Sequence, residues 1–353
     1  MARKRLAEFD IMRGLAIAII LFHHLPDYGL NFYNLNNFGI NLDLSMLNEL
    51  NTFFGLGLFV YISGVLLQKG YPSLAGRQQT SSFFKKRFIR IFPLYYISLA
   101  IFVKIMPAAG PKLILMHLLG LQLILASFHY RPMLTLWFIG LITIYYIFFV
   151  LAKKAEGNNL RLFATLLAFP LLLLIWRGTE NMGDLRLFIY YPVFLAGLYG
   201  DSIFERIRQD YRLAAGLAIF FFLSIYLYAA YMSRAGLLAH LIGGLGAFLV
   251  MSCIISCIMI SFVWLVRSIS SRAANISKYF KALSYSSYCI YLFHRQIWWS
   301  LLKINYPENP VNRLFYLALV GIPAIILISY AIQRAYDSAS RKVTEWRALP
   351  SQS

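Results

Sequence analysis

The sequence predicts an all-α polytopic membrane protein with about ten transmembrane helices and both termini in the cytoplasm. Three observations carry that prediction. Of the 353 residues, 60% are hydrophobic and 13% charged, whereas a soluble domain carries roughly a quarter charged. Apolar runs long enough to cross a bilayer recur along the whole chain, and the mean hydropathy is positive. The Lys and Arg residues sit mainly between those runs.

The start, MARKRLAEFD, is basic, and the apolar run 9–25 follows with no small-residue cleavage site. That first helix is therefore expected to stay as an anchor rather than leave as a signal peptide. Runs 52–68 and 88–107 come next, the second entered through the basic stretch KKRFIR. The run 113–127, LILMHLLGLQLILAS, is bracketed by Lys112 and His129 and is short against the roughly 20 residues of a span. It is expected to be an extra re-entrant or interfacial segment. Runs 134–152, 163–176, 186–200 and 213–232 follow. The run 236–266 is long for one crossing, which leaves open a cytoplasmic extension or a break near Gly243–Gly246. Runs 283–302 and 314–333 complete a single membrane domain over 1–340, with 341–353 as a cytoplasmic tail.

Positive charge tests the count. With 113–127 set aside, the cytoplasmic segments 1–10, 69–90, 153–161, 201–212, 267–281 and the C-terminal end hold 23 Lys and Arg. The outer segments 26–51, 104–133, 177–187, 233–235 and 303–313 hold 8, and Arg13 and Arg295 lie within spans. If 113–127 also crossed, KKAEGNNLR (153–161) and every alternate basic loop after it would fall outside. Ten crossings is the better reading. Topology then accounts for the net charge of +19 without a nucleic-acid partner. Cys253, Cys257 and Cys289 lie in apolar stretches, as small buried hydrophobes rather than a disulfide or metal framework. No metal site and no bound cofactor are expected.

Within the first run, MRGLAIAIILFHHL (12–25), nothing between Gly14 and Phe22 is polar, yet Arg13 stands at one end and His23–His24 at the other. Ionisable groups in a span are costly and usually functional. Arg13 and His24 are eleven residues apart, three turns plus about 20°, so they share a helix face about 16 Å apart. Arg13 alone reads as a snorkelling anchor. For His24 a catalytic reading is favoured: a neutral imidazole can act as general base on a hydroxyl. Asp27, one turn on, is positioned to orient the ring unless Pro26 ends the helix first. His294 lies thirteen residues, about 20 Å, above Lys281 on its own helix, at a depth similar to that of His24. Its neighbour Arg295 reads as the partner of an interhelical acceptor.

Five stretches resemble, in order, the acyltransferase-3 family of membrane acyltransferases. EFDIMRGLAIAIILFHH is similar to its first-helix Arg–His signature, and LFVYISGVLL (58–67) to the segment ending in Ser-Gly, here Ser63–Gly64. FFKKRFIRIFPLYY (83–96) resembles the R-x-x-R-I-x-P element at Arg87, Arg90, Ile91 and Pro93. YYPVFLAGLYG (190–200) is similar to the Phe-x-x-Gly helix, and LSYSSYCIYLFH (283–294) to the late Ser-Tyr-x-x-Tyr…His helix. Together they span residues 8–294.

The resemblance implies transfer of an acyl group, acetyl or succinyl in type, from acyl-CoA as co-substrate to a hydroxyl of a cell-surface carbohydrate or glycolipid. It implies a multi-pass protein of the cell (inner or plasma) membrane, with membrane lipids as its other partners. Arg13 and His24 carry the family's catalytic pair. Arg87 and Arg90, three apart and on one helix face, suit the phosphates of a nucleotide through charge-assisted hydrogen bonds. Ser63 and His294 join them as candidate substrate-binding residues. Trp137, Tyr288 and Tyr291 suit stacking on a sugar, although most aromatics in a chain this rich in them pack or form the interface belt. The chain departs from the family at Ile142, five residues after the Trp of LWFIG, where many members carry an acid. No stretch resembles the SGNH hydrolase-like domain of longer members, so one membrane domain is expected to do the whole job. The rival reading is a transporter or flippase of a lipid-linked sugar or anion. It fits the midplane histidines, but the sequence has no internal duplication of the kind many transporters show.

Overall fold

Lipid cannot hydrogen-bond a backbone, so an apolar run within it satisfies its own N–H and C=O groups by forming an α-helix. The computed structural model follows that rule. It describes residues 7–41, 43–74, 76–105, 110–126, 131–180 and 182–348. The basic start MARKR, residue 127 of the short run, His129 and the end of the tail, 349–353, lie outside the described residues.

The helices in chain order are α1 (Ala7–His24), α2 (Ser45–Gly70), α3 (Arg77–Ile105), α4 (Pro111–Leu118), α5 (Trp137–Ala155), α6 (Asn159–Glu180) and α7 (Arg186–Ile189). They continue as α8 (Tyr191–Tyr199), α9 (Asp201–Gln209), α10 (Tyr211–Arg272), α11 (Ser277–Ile304), α12 (Pro310–Tyr316) and α13 (Ile322–Ala348). The described residues contain no strand, only an isolated bridge between Asn34 and Asp43. Seven helices among them are long and apolar enough to cross a membrane, or eight if the pair Arg186–Tyr199 and Asp201–Gln209, bent by 75°, counts as one span. The chain is an all-α polytopic membrane protein. The charge count expects ten crossings; in the number above α10, 62 residues long and broken at Gly243, counts once, and α11 is not included.

The short run 113–127 forms the eight-residue α4 and a series of turns, far below bilayer thickness at 1.5 Å per residue. His117 ties it down: one ring nitrogen donates to Leu113 O (2.9 Å) and the other accepts from the Met133 N–H (3.0 Å).

One expectation changes. The outer loop expected at 233–235 is helical and lies inside α10. The break falls at Gly243, with φ 73° and ψ 162°, a conformation essentially closed to side chains. Ser233, Arg234 and Ala235 contain no breaker, whereas Gly243–Gly244 can turn the chain. Helix α13 runs on to Ala348, so the described part of the expected tail is helical.

The chain divides into two units, Met1–Gly55 with Ile269–Ser353, and Leu56–Ser268. In the first, α1 packs along α11, and α11 along α13. Close approach of α1 and α11 needs Gly14, where a Cβ would lie 2.5 Å from a Phe280 ring carbon. One turn away the buried Ser284 donates to Asp10 (2.7 Å). Tyr285 on α11 donates to Asp337 on α13 (2.6 Å).

In the second unit two of the family-like motifs meet each other. A Cβ on Gly64 would lie 2.7 Å from Phe194 O, and one on Gly197 would strike Tyr61 O. The Ser-Gly and Phe-x-x-Gly glycines thus let the backbones of α2 and α8 touch. Helix α6 shows Leu160, Phe163, Leu167, Leu171 and Ile175 exposed, the composition of a helix bathed in lipid.

Candidate active site

Pro26 ends α1: the helix stops at His24 and the chain enters a single 3-10 turn, Leu25–Asp27. That turn brings the Asp27 carboxylate back to His24, with Oδ2 3.3 Å from Nδ1. From α11, Arg295 reaches the same point. Its Nη2 lies 2.7 Å from His24 Nδ1 and 2.7 Å from Asp27 Oδ2. A guanidinium nitrogen only donates, so Nδ1 accepts, and the neutral ring carries its proton on Nε2. Arg295 also donates through Nη1 to the Tyr28 hydroxyl (3.4 Å), while its Nε is buried with no hydrogen-bond partner.

The residue before Arg295 completes the cluster. The His294 ring stacks on that of His24, with centroids 5.2 Å apart and 18° between the planes. His294 is fully buried, and its Nδ1 faces two backbone carbonyls, Ile290 O (3.0 Å) and Tyr291 O (2.9 Å). Both can only accept, so the proton sits on Nδ1 and Nε2 keeps its lone pair. That Nε2 is buried and has no hydrogen-bond partner. Two neutral imidazoles therefore lie side by side, one with Nε2 as donor and the other with Nε2 as acceptor.

The surroundings hold both rings in place. Trp298 packs edge-on against His294 (5.7 Å) and donates to Leu317 O (3.3 Å), in the π-helical turn Leu317–Gly321. Gly321 gives that indole room, since a Cβ there would fall 2.7 Å from Trp298 Nε1. A π-turn inside a helix is often found at a functional site. On the other side His23 joins α1 to α2: Nδ1 lies 2.8 Å from Asn48 O, and Nε2 lies 2.8 Å from the Thr52 hydroxyl. His23 is thus a strut, which leaves His24 as the reactive candidate of the pair.

His24 and His294, expected at one depth, are in contact. Arg13, expected to act with His24, lies half-buried eleven residues down α1, about 16 Å away, too far to touch it. The cation at His24 is Arg295, a partner the spacing did not reveal because it comes from a helix 271 residues later.

The remaining candidates lie in the second unit. Ser63 is half-buried on α2, beside the close-packed Gly64. Arg90 on α3 is exposed. Arg87, one turn earlier, is walled by the rings of Tyr71 (5.6 Å), Phe83 (5.5 Å) and Tyr146 (5.3 Å). Its Nε is buried without a hydrogen-bond partner. Ile142, the position of the expected departure from the family pattern, is buried on α5.

A family model described as an acyltransferase domain matches residues 6–334, almost the whole chain. No curated protein and no solved structure matches it.

Proposed function

The chain belongs to the acyltransferase-3 family of membrane acyltransferases, and we propose that it transfers an acetyl- or succinyl-type group from acyl-CoA to a hydroxyl of a cell-surface carbohydrate or glycolipid. The observation that carries this reading is the convergence of His24 and Asp27, at the end of α1 and its 3-10 turn, with Arg295 and His294 of α11 at one point, His294 fully buried and Asp27 exposed at the rim. Two imidazoles in contact, with a carboxylate and a guanidinium at one of them, suit proton transfer. The membership removes the ground for the rival transporter reading.

In the resting arrangement His24 Nδ1 accepts from Arg295, so Nε2 is a donor. To act as general base His24 takes the other tautomer, with Nδ1–H given to Asp27 Oδ2 and Arg295 held on Asp27 alone. Nε2 is then open to the acceptor hydroxyl. It removes the hydroxyl proton as the oxygen attacks the acyl carbon. The new C–O bond forms, the C–S bond breaks, and the thiolate of CoA leaves and takes the proton back from the imidazolium. Asp27 stabilises that imidazolium in passing, and His294 Nε2 accepts a hydrogen bond from a second hydroxyl of the acceptor. Arg13 helps bind the anionic headgroup of the donor, and Ser63 is a further substrate contact.

Arg87 and Arg90 supply the grip on the CoA phosphates. Support comes from the buried, unpartnered Nε of Arg87, a donor that lacks an acceptor until an anion arrives. The protein is placed in the cell (inner or plasma) membrane on the same family reading. The test is direct: protein purified in detergent is given labelled acetyl-CoA or succinyl-CoA with membrane glycan and glycolipid fractions. Label in a glycan fraction supports the proposal, and failure of both donors with every fraction removes it.

A further inference from the structure

The second unit contains a cavity of about 410 Å³ that the chemistry above does not use. Its lining includes Arg131, Arg177 and Arg186 but one carboxylate, Asp184. Asp184 is committed to Arg186, accepting from Nε (2.8 Å) and Nη2 (2.5 Å) in a two-pronged pair. The Arg186 guanidinium carbon also lies over Trp137, 4.0 Å from the ring centre. Arg177 reaches in from α6 and donates to Gly183 O (2.8 Å). Arg131 is exposed.

The wall is rigid where it turns. Gly183 adopts φ 93°, and its N–H donates to Ala126 O (2.9 Å), while the Asp184 N–H donates to Leu123 O (2.8 Å). Trp176 closes the same corner by donating to Ile124 O (3.0 Å). The guanidinium groups are thus mounted on a braced scaffold, with an excess of positive charge over their one carboxylate. Trp137 and Tyr146 stand nine residues apart on α5, so this cavity and the Arg87 cage lie at levels about 14 Å apart along that helix.

Charge placement sharpens the point. Arg131, Arg177 and Arg186 all come from segments that the charge count expects to lie outside and to be poor in Lys and Arg, yet they line one cavity. Outer loops shed positive charge for reasons of insertion, so a cluster there needs a reason of its own. We propose that the cavity binds an anionic oxyacid group, a carboxylate or phosphate, carried by the acceptor. Guanidinium forks match both groups, and a sugar acid or sugar phosphate fits the volume. The inference rests on the reading of the acceptor as a carbohydrate or glycolipid, and narrows it to an anionic one.

The test titrates the full-length protein, in neutral detergent at constant ionic strength, with glucuronate, glycerol phosphate and glucose, following thermal stability. CoA binding is measured on the same samples. Glucuronate is expected to stabilise the protein where glucose does not. Arg131→Gln, at an exposed position, is expected to weaken glucuronate by about tenfold or more while CoA still binds. Nanodiscs of phosphatidylglycerol and of phosphatidylcholine supply the second arm. If glycerol phosphate and phosphatidylglycerol stabilise in an Arg131-dependent way and glucuronate does not, the anion comes from a lipid headgroup and the link to the acceptor falls. If no anion exceeds glucose, or if Arg131→Gln and Arg177→Gln both bind as wild type does, the site itself is overturned. A protein that binds CoA and transfers label but ignores anions loses this inference alone; one that does neither loses the functional reading.

Discussion

Arg295 on α11 places Nη2 2.7 Å from Nδ1 of His24 on α1, and the same nitrogen holds Asp27 at 2.7 Å. One guanidinium therefore fixes the tautomer of the histidine and the position of the carboxylate that must relieve it. Arg295→Lys keeps the charge but loses the planar guanidinium whose Nη2 serves His24 and Asp27 while Nη1 reaches Tyr28. Transfer is expected to fall by about 10²-fold, with CoA binding unchanged, in a labelled-donor assay run beside a CoA titration. Wild-type transfer by the lysine variant would remove Arg295 from the mechanism.

Asp27→Asn makes a separate prediction. The amide still accepts from Arg295 through its oxygen, but it offers the imidazolium no charge. Turnover should drop by about 10²-fold or more, while elution on size exclusion stays that of wild type. A rate within about twofold of wild type would show that the carboxylate is only a cap on the 3-10 turn.

Much of this site was legible in the sequence, and what was missed was missed for physical reasons. Helix rise alone placed His24 and His294 at one depth, because rise depends on residue number and little else. Rotation about the helix predicted Arg13 as the partner of His24, since spacing along one helix cannot report a side chain from another. In the sequence Arg295 reads as the partner of an interhelical acceptor, but only the packing of α1 on α11 names those acceptors, His24 and Asp27. The motif glycines Gly64 and Gly197 read as separate markers; the structure shows them facing each other across one helix contact. The polar residues within 233–235 read as a loop, and a break near Gly243–Gly246 stays open beside it; the backbone turns at Gly243, where no side chain opposes a positive φ.

The facing glycines can be tested by adding one methyl group. Gly197→Ala drives a Cβ into the carbonyl of Tyr61, backbone that cannot swing aside. A loss of about 1–3 kcal/mol is expected, read as a lower thermal midpoint in detergent. Gly216→Ala, whose Cβ would meet nothing within 4 Å, is the control and should be near neutral. Equal midpoints for the two variants would contradict the packing.

Gly243→Ala should also destabilise, by about 1–3 kcal/mol, although a Cβ there would meet no atom. The cost is conformational, since a side chain at φ 73° and ψ 162° is strained whatever the space. A wild-type midpoint for this variant would show that α10 is not broken at Gly243.

Arg87 and Arg90 differ in environment, and their variants should differ accordingly. Arg90→Ala, at an exposed position, is expected to leave stability alone and weaken CoA by about tenfold. Arg87→Gln removes a cation packed among three rings, so it should cost stability as well as CoA affinity. Unchanged CoA affinity in both variants, measured by calorimetry, would move the donor site elsewhere.

The most direct measurement compares wild type with His24→Ala, following transfer from labelled acetyl-CoA and succinyl-CoA while CoA binding is recorded in parallel. The account predicts that the variant binds CoA as wild type does and transfers at least about 10²-fold more slowly. Transfer at the wild-type rate by a folded His24→Ala protein would contradict it and place the chemistry outside the His24–Asp27–Arg295 cluster.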